Sequence, residues 1–379
     1  MKMNIEKREL SALTTMVYRA ASNKNTIPVL SGLLLELSPE KGLTMTATDM
    51  EIGICASTSN VDVIEPGTVL VNAGYFADFI KLLPDGNIAM EVNVSTSKLN
   101  IHYGRSKGNI NIYREQDYPA LPIDKMEYKF SMAQNVLKEA LRKTVFAAAA
   151  NHFRQVFTGV LFDLQNNNQL RVVASDTHRL AYYTHVLNET LAEPFKFVIP
   201  IRTVNELLRF LEDSDEEIKI ALSDNNVIFY KEGFLFLSRL IEGQYPNYEQ
   251  VIPASFVTRL DIQTHVLATS LERVKIMPTD DKLKIPHLQL SFENEEVHIF
   301  SNSEMMGEIN EVIEGVGIEG DKEIKIVFNT HYFLDAVKIF DQECENLSIS
   351  LSGSFGPAML KNNEKDNYLY ILVPMRTSN

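Results

Sequence analysis

A chain of 379 residues with 45% hydrophobic side chains has room for two or three domains with their own cores. No apolar run approaches the ~20 residues of a membrane span, and the charged start MKMNIEKREL lacks the apolar centre of a signal peptide, so the sequence predicts a cytoplasmic protein. A net charge of −14, taken whole, argues against a nucleic-acid binder, and two distant cysteines in strand-like text, Cys55 and Cys344, exclude a disulfide framework.

The first helix-periodic segment is KRELSALTTMVYRAAS (7–22). Short runs follow, VLSGLLLEL (29–37) and TMTATDMEIGICAS (44–57), split by the turn signal SPEKG, and these read as strands. LVNAGYFADFIKLL (70–83) gives β-branched residues, a polar capping position and then apolar residues at helical spacing: a strand running into a helix. Proline and polar residues cluster in YPALPID, near 125.

The series then begins again. QNVLKEALRKTVFAAA (134–149) is a helix with Leu137, Ala140, Leu141, Thr144 and Val145 on one face and Lys138, Glu139, Arg142 and Lys143 on the other. VFTGVLFDL (156–164), RVVASDTHRLAYYT (171–184), VIPIRTVNELLRFL (198–211) and QYPNYEQVIP (244–253) repeat the earlier order. Gly32 falls on Gly159, Asp49 on Asp176 and Tyr118 on Tyr245, each at a shift of 127. A fainter third copy has THVLATSLERVKIM (264–277), KIPHLQLSF (284–292), HIFSNSEMMGEI (298–309) with Glu304 in the aspartate position, and IVFNTHYFLDAVKIF (326–340). Each unit reads as an α+β module, two helices backed by short antiparallel strands, and the expected domains are 1–125, 126–255 and 256–379.

One stretch, VVASDTHRLAYY (172–183), has the look of chemistry, with Asp176 placed to orient His178 as a general base beside Arg179. The repeat argues otherwise. His178 aligns with Glu51 and Met306, and Arg179 with Ile52 and Gly307, so the aspartate reads as a turn carboxylate bonding local backbone. Phosphate-loop, dinucleotide, HExxH and CxxC motifs are absent, and LSGSFG (351–356) lacks nucleophile-elbow spacing. His178 and His185 are too few for a metal site, and EDSDEE (212–217) reads as a solvated turn. The expectation is a protein without catalytic centre, metal or cofactor.

The charge is unevenly spread. Segments 7–24, 134–154 and 264–284 carry +3, +3 and +1, so the rest of the chain carries −21. Basic excess on the same helix of successive repeats predicts one continuous basic surface suited to a polyanion held by its backbone. Stacking aromatics are not evident near these helices, which favours duplex over single strands.

NTIPVLSGL (25–33), ASDTHRLA (174–181), FVIP (197–200), SRLIEGQYPNYEQVIP (238–253), SNSEMMGE (301–308) and LVPMR (372–376) carry a likeness in their order and spacing. Over all 379 residues the chain resembles the bacterial sliding clamps, beta subunits of the replicative DNA polymerase III holoenzyme. The resemblance implies three clamp-type domains, a head-to-tail homodimeric ring, and a non-catalytic processivity factor that encircles double-stranded DNA regardless of sequence. It implies as partners the replicative polymerase, an ATP-driven clamp loader and other proteins with clamp-binding motifs, with no membrane. Their peptides would be held by Arg154, Phe157, Ser175, Thr177, His178, Arg179, Leu180, Pro246, Val251, Asn329, Tyr332, Phe355, Ile371, Val373, Pro374, Met375 and Arg376. DNA would meet Lys24, Asn151, Arg154 and Gln155, and the ring seam would set Ile276 and Met277 against Ile110 in the edge strand GNINIY (108–113). The chain departs from the family with Thr177 where glycine is frequent, Gln155 and Val156 where some members have aromatics, and Gly108 where an apolar seam residue is common. Without the resemblance, a monomeric three-domain adaptor that does not encircle DNA is an equal reading.

Overall fold

The computed structural model describes residues 1–22, 27–114, 117–189, 193–277, 285–293, 295–303 and 305–376. Among the described residues six α-helices lie where the periodicity puts them: α1 (Lys7–Val17), α2 (Ala73–Leu82), α3 (Gln134–Thr144), α4 (Ile201–Leu207), α5 (Thr264–Val274) and α6 (Thr330–Asp341). α1 and α3 end sooner than their apolar pattern suggests, in 3₁₀ turns at Tyr18–Ala20 and Val145–Ala147. There the final carbonyls are met three residues on, by Ala21 N–H at 3.0 Å and Ala148 N–H at 3.1 Å. α2 and α6 open on asparagine caps: Asn72 Oδ1 accepts from Tyr75 N–H, and Asn329 Oδ1 from His331 and Tyr332 N–H.

By contacts the chain forms two compact units. The first comprises Met1–Leu137 and Arg202–Leu240. It holds one continuous antiparallel sheet of thirteen strands, from Glu127–Ala133 at one end to Val61–Glu65 at the other. Phe234–Arg239, from the middle repeat, pairs with Ile52–Thr58 of the first, Phe236 opposite Ile54. Helix α1 buries Leu10, Leu13, Thr14 and Val17, a stripe at helical spacing, against this unit's core. Within the sheet Ser106–Tyr113 pairs with Lys98–Tyr103 along its length, but on its other side, among the described residues, only Ile112 and Tyr113 have partners, Val71 and Leu70. Gly108 in that strand lies under an aromatic ring: a Cβ there would come within 2.8 Å of Phe79 Cζ.

The second unit comprises Lys138–Ile201 and Ile241–Asn379. A nine-stranded antiparallel sheet runs from Phe195–Pro200 to Gly317–Gly320, and a four-stranded one ends on Gly307–Ile313. In the larger sheet Arg179–Val186 of the middle repeat pairs with Tyr368–Leu372 of the last. This is the first unit's joint again: the strand after the aspartate loop of one repeat receives the final strand of the next. Leu180 and Ile371 lie opposite each other at this joint, in a cluster with Leu161, Val173, Val198 and Tyr248. Cys55 is in a strand, but Cys344 follows α6, where its thiol hydrogen-bonds Phe340 O at the end of the helix.

Candidate functional site

Asp49 and Asp176 do the same thing in the two repeats. Each carboxylate accepts two backbone N–H groups through Oδ1: from Glu51 (3.0 Å) and Ile52 (2.9 Å) in one, from His178 (3.0 Å) and Arg179 (3.1 Å) in the other. The preceding hydroxyl closes the loop, Thr48 donating to Ile52 O and Ser175 to Arg179 O, both at 2.8 Å. The residue after the aspartate is left-handed in both, with φ of 77° at Met50 and at Thr177. Asp176 is therefore a loop-closing carboxylate and not the orienter of a base. Its second oxygen takes Arg179 Nε at 2.9 Å.

The loop meets the carboxy-terminal segment. Val373 N–H donates to His178 O at 2.9 Å, and Met375 N–H donates to Val327 O at 2.7 Å. Residues 373–376 thus run between the aspartate loop and the strand Ile326–Asn329, along a rim where Thr177 and His178 are exposed and Val373, Pro374 and Met375 half-buried. Tyr332 joins the rim, its ring 6.4 Å from that of His178. Burial raises its phenol's pKa, and the Asp176 charge adds to the rise. Val251 is 42% exposed, Pro246 half-buried and Arg376 exposed. Phe355 stands 80% exposed on the loop after Asn346–Leu351.

Several expected contact residues face inward. Ile371 has no exposed surface and Leu180 only 2%, since the joint buries this face of both strands. Ser175 and Phe157 are buried, the former closing the aspartate loop and the latter edge-on to Tyr245. The Asn329 oxygen is committed to capping α6. Arg179 is buried too. It holds Asp176 and Asp335 (Nη1–Oδ2 3.0 Å) and lies 4.1 Å from the centre of the Tyr332 ring and 5.7 Å from that of Phe146. The guanidinium expected to bond a peptide is thus engaged within the chain, by two carboxylates and the Tyr332 ring. Asp335 and Phe146 escaped sequence reading because they meet Arg179 only through the fold.

The helix charges also need correction. Lys143, read as outward-facing, has no exposed surface. Its ammonium sits between Glu139 (2.6 Å) and Glu343 (2.7 Å), with the Tyr183 and Tyr368 rings 5.6 and 5.3 Å away. Burial alone would raise the Glu139 pKa, but bonds from Lys143 and Tyr183 and the Lys143 charge hold it below its ordinary value. Arg142 bonds Gln342, Arg273 grips Glu311 through two nitrogens, and Arg19 lies 3.6 Å from Glu206. Arg8 and Lys275 stand exposed. Of the expected DNA contacts, Asn151, Arg154 and Gln155 form an exposed loop and Lys24 lies outside the described residues. An aromatic went unnoticed there: Phe153 is 85% exposed. The readable signal was the run 140–162, which contains no Asp or Glu. Of the seam residues Ile276 is 78% exposed and Met277 8%, while Ile110 at 4% points into the core, as the pleat requires of a residue between exposed Asn109 and Asn111.

Among the described residues no group of three His, Cys, Asp or Glu is placed to hold a metal ion, and no helix is long and apolar enough to cross a membrane. The chain is a repeat protein joined strand to strand, and its aspartate, histidine and arginine cluster at 176–179 closes a loop. Comparison with known proteins gives its kind. Models of the N-terminal, central and C-terminal domains of the DNA polymerase III beta subunit match residues 1–122, 131–247 and 249–376. The chain is 30% identical over 371 residues to the beta sliding clamp of Halalkalibacterium halodurans, covering 95% of this chain and 96% of that one. With the beta sliding clamp of Escherichia coli K12 it is 27% identical, over 99% and 100% of the two chains. The solved DNA polymerase sliding clamp of Bacillus subtilis superposes with a TM-score of 0.93 at 28% identity, covering both chains fully. A Pseudomonas aeruginosa sliding clamp bound to griselimycin gives 0.92 at 28% identity, again covering both fully. The chain belongs to the DNA polymerase III beta subunit family, the bacterial beta sliding clamps. Its function is that of a DNA sliding clamp, a processivity factor without a catalytic centre of its own.

Proposed function

We propose that two copies close head to tail around double-stranded DNA in the cytoplasm, and that the rim formed by the Asp176 loop and residues 373–376 holds peptide tails of the replicative polymerase, the clamp loader and other partners. The observation that carries closure is the repeated joint. Twice, the strand after the aspartate loop receives the final strand of the next repeat: Ile52–Thr58 with Phe234–Arg239, and Arg179–Val186 with Tyr368–Leu372. A third joint would need Gly307–Ile313 of the last repeat and Ser106–Tyr113 of the first. The former ends its sheet, and the latter has one side largely unpaired. Open edges of this kind invite another chain, and a second copy supplies the matching strand. Exposed Ile276 supports this seam, whereas Ile110 serves it from inside the sheet. In this reading the three domains 1–125, 126–255 and 256–379 are the units that repeat.

In the groove, Thr177, His178, Tyr332, Val251, Val373, Pro374, Met375 and Arg376 meet the peptide, with Arg154 and Phe355 at its margin. Leu180, Ile371, Phe157, Ser175, Asn329 and Arg179 hold that surface in place, and Pro246 flanks Val251. Two or three apolar anchors on a flexible tail give affinity around micromolar, which two grooves on a dimer raise through avidity. Topology is the test. Loaded on a circular duplex and washed in high salt, the protein stays bound, and it is lost when the circle is linearised. Equal retention before and after cutting, or a solution mass of 42.9 kDa and not twice that, would leave the monomeric adaptor as the better reading.

A further inference from the structure

On the loop 151–155, outside the proposed groove and seam, Phe153 is 85% exposed, yet one face of its ring is packed. The His152 imidazole stacks on it at 4.5 Å and 28°, and His152 in turn lies against Phe157 at 4.8 Å, nearly edge-on. Phe157 packs edge-on to Tyr245 at 5.8 Å, so a ladder of four rings leads from the interior to the surface. The Arg154 N–H donates to His152 Nδ1 at 3.0 Å, which pins the imidazole behind Phe153. The Arg154 guanidinium lies 5.7 Å from the Phe153 ring centre. In a chain with 50 acidic residues, the absence of carboxylates from 140–162 leaves this loop without anionic side chains of its own segment.

We infer that Phe153 is a stacking platform for an unpaired base of single-stranded nucleic acid, with Arg154 on the adjacent phosphate. A rigid exposed ring beside a cation is the pairing by which single strands are held, because every base offers a π-face and every nucleotide a charge. A duplex cannot use it, since its bases are stacked on one another. An apolar protein partner would find one ring among Asn151, Arg154 and Gln155, too small a patch to anchor it. The inference rests on the clamp reading, which brings DNA to this protein.

The chain contains no tryptophan, so Phe153→Trp in the full-length protein reports stacking by its own fluorescence. Oligothymidylate of about 15 nucleotides is expected to quench that emission saturably, by base stacking on the new indole. Phe153→Ala is expected to weaken the strand's affinity at least about fivefold, while affinity for a duplex of the same length is unchanged. Unquenched emission at strand concentrations that saturate wild type, or equal strand affinity in Phe153→Ala, overturns the inference. Quenching by a polymerase-tail peptide but not by the strand also overturns it, making Phe153 a protein contact. Retention on circular DNA separates the two readings: if Phe153→Ala is still lost only on linearisation but Phe153→Trp is never quenched, the clamp reading stands and this inference alone falls.

Discussion

Thr177 holds a φ of 77°, a left-handed backbone that a β-branched residue resists and glycine accepts freely. Met50 has the same angle in the same loop of the first repeat, so the conformation belongs to the loop and not to its residue. Thr177→Gly is expected to be more stable than Thr177→Ala by about 1 kcal/mol, because only glycine escapes the clash of Cβ with the neighbouring carbonyl. Urea unfolding of both variants checks this, and equal midpoints at equal slopes would contradict it. Lys143 presents the opposite case, a charge with no water. Lys143→Met strands Glu139 and Glu343 without their cation and is expected to cost about 3–5 kcal/mol, most of it recovered when both glutamates become glutamine. The acid limb follows from Glu139. Its folded pKa lies below the ordinary 4.5, so its contribution is complete above 4.5 and is lost as pH falls through the folded value. Wild type should lose stability across that window more steeply than Lys143→Met, by unfolding measured as a function of pH.

The segment 373–376 is tied at two points, Val373 to His178 and Met375 to Val327, and lies just past the strand that completes the nine-stranded sheet. Deleting Pro374 to Asn379 removes the rim and spares the strand Tyr368–Leu372. Calorimetry with a polymerase-tail peptide should then show no binding, while light scattering still gives the dimer; unchanged affinity would move the groove elsewhere. Much at this scale was legible in the sequence. Helical spacing marked all six helices, and the 127-residue shift marked both aspartate loops, because both signals are local. The burial of Lys143 was not, since Glu343 and Tyr368 reach it from about 200 residues away through a strand pairing that no pattern announces. The inward turn of Ile110 was legible, because the alternation in Asn109, Ile110 and Asn111 already says which residue faces the core.

For the whole molecule, the sequence offered seven net positive charges on three helix segments. Seven phosphate contacts would give a slope of about −6 for log affinity against log salt. With Lys143 buried and Arg142, Arg273 and Arg19 engaged by neighbours, the unloaded protein is expected to bind short duplexes weakly, with a slope of about −3 or shallower. A slope near −6 by fluorescence anisotropy would mean those pairs open on DNA. Weak direct attraction suits a protein that must slide. The strand joints carry a consequence of another kind. The middle repeat gives four strands, from Glu127–Ala133 to Phe234–Arg239, to one sheet and four, from Gly159–Leu164 to Phe195–Pro200, to another, and each sheet is completed by a neighbouring repeat. No peptide bond near 125 or 255 therefore separates one finished piece from the next: a fragment cut there keeps its helices but bares the strand that its neighbour had covered. In such a chain the gene can be read as three copies, while the protein is made whole or left with sticky edges.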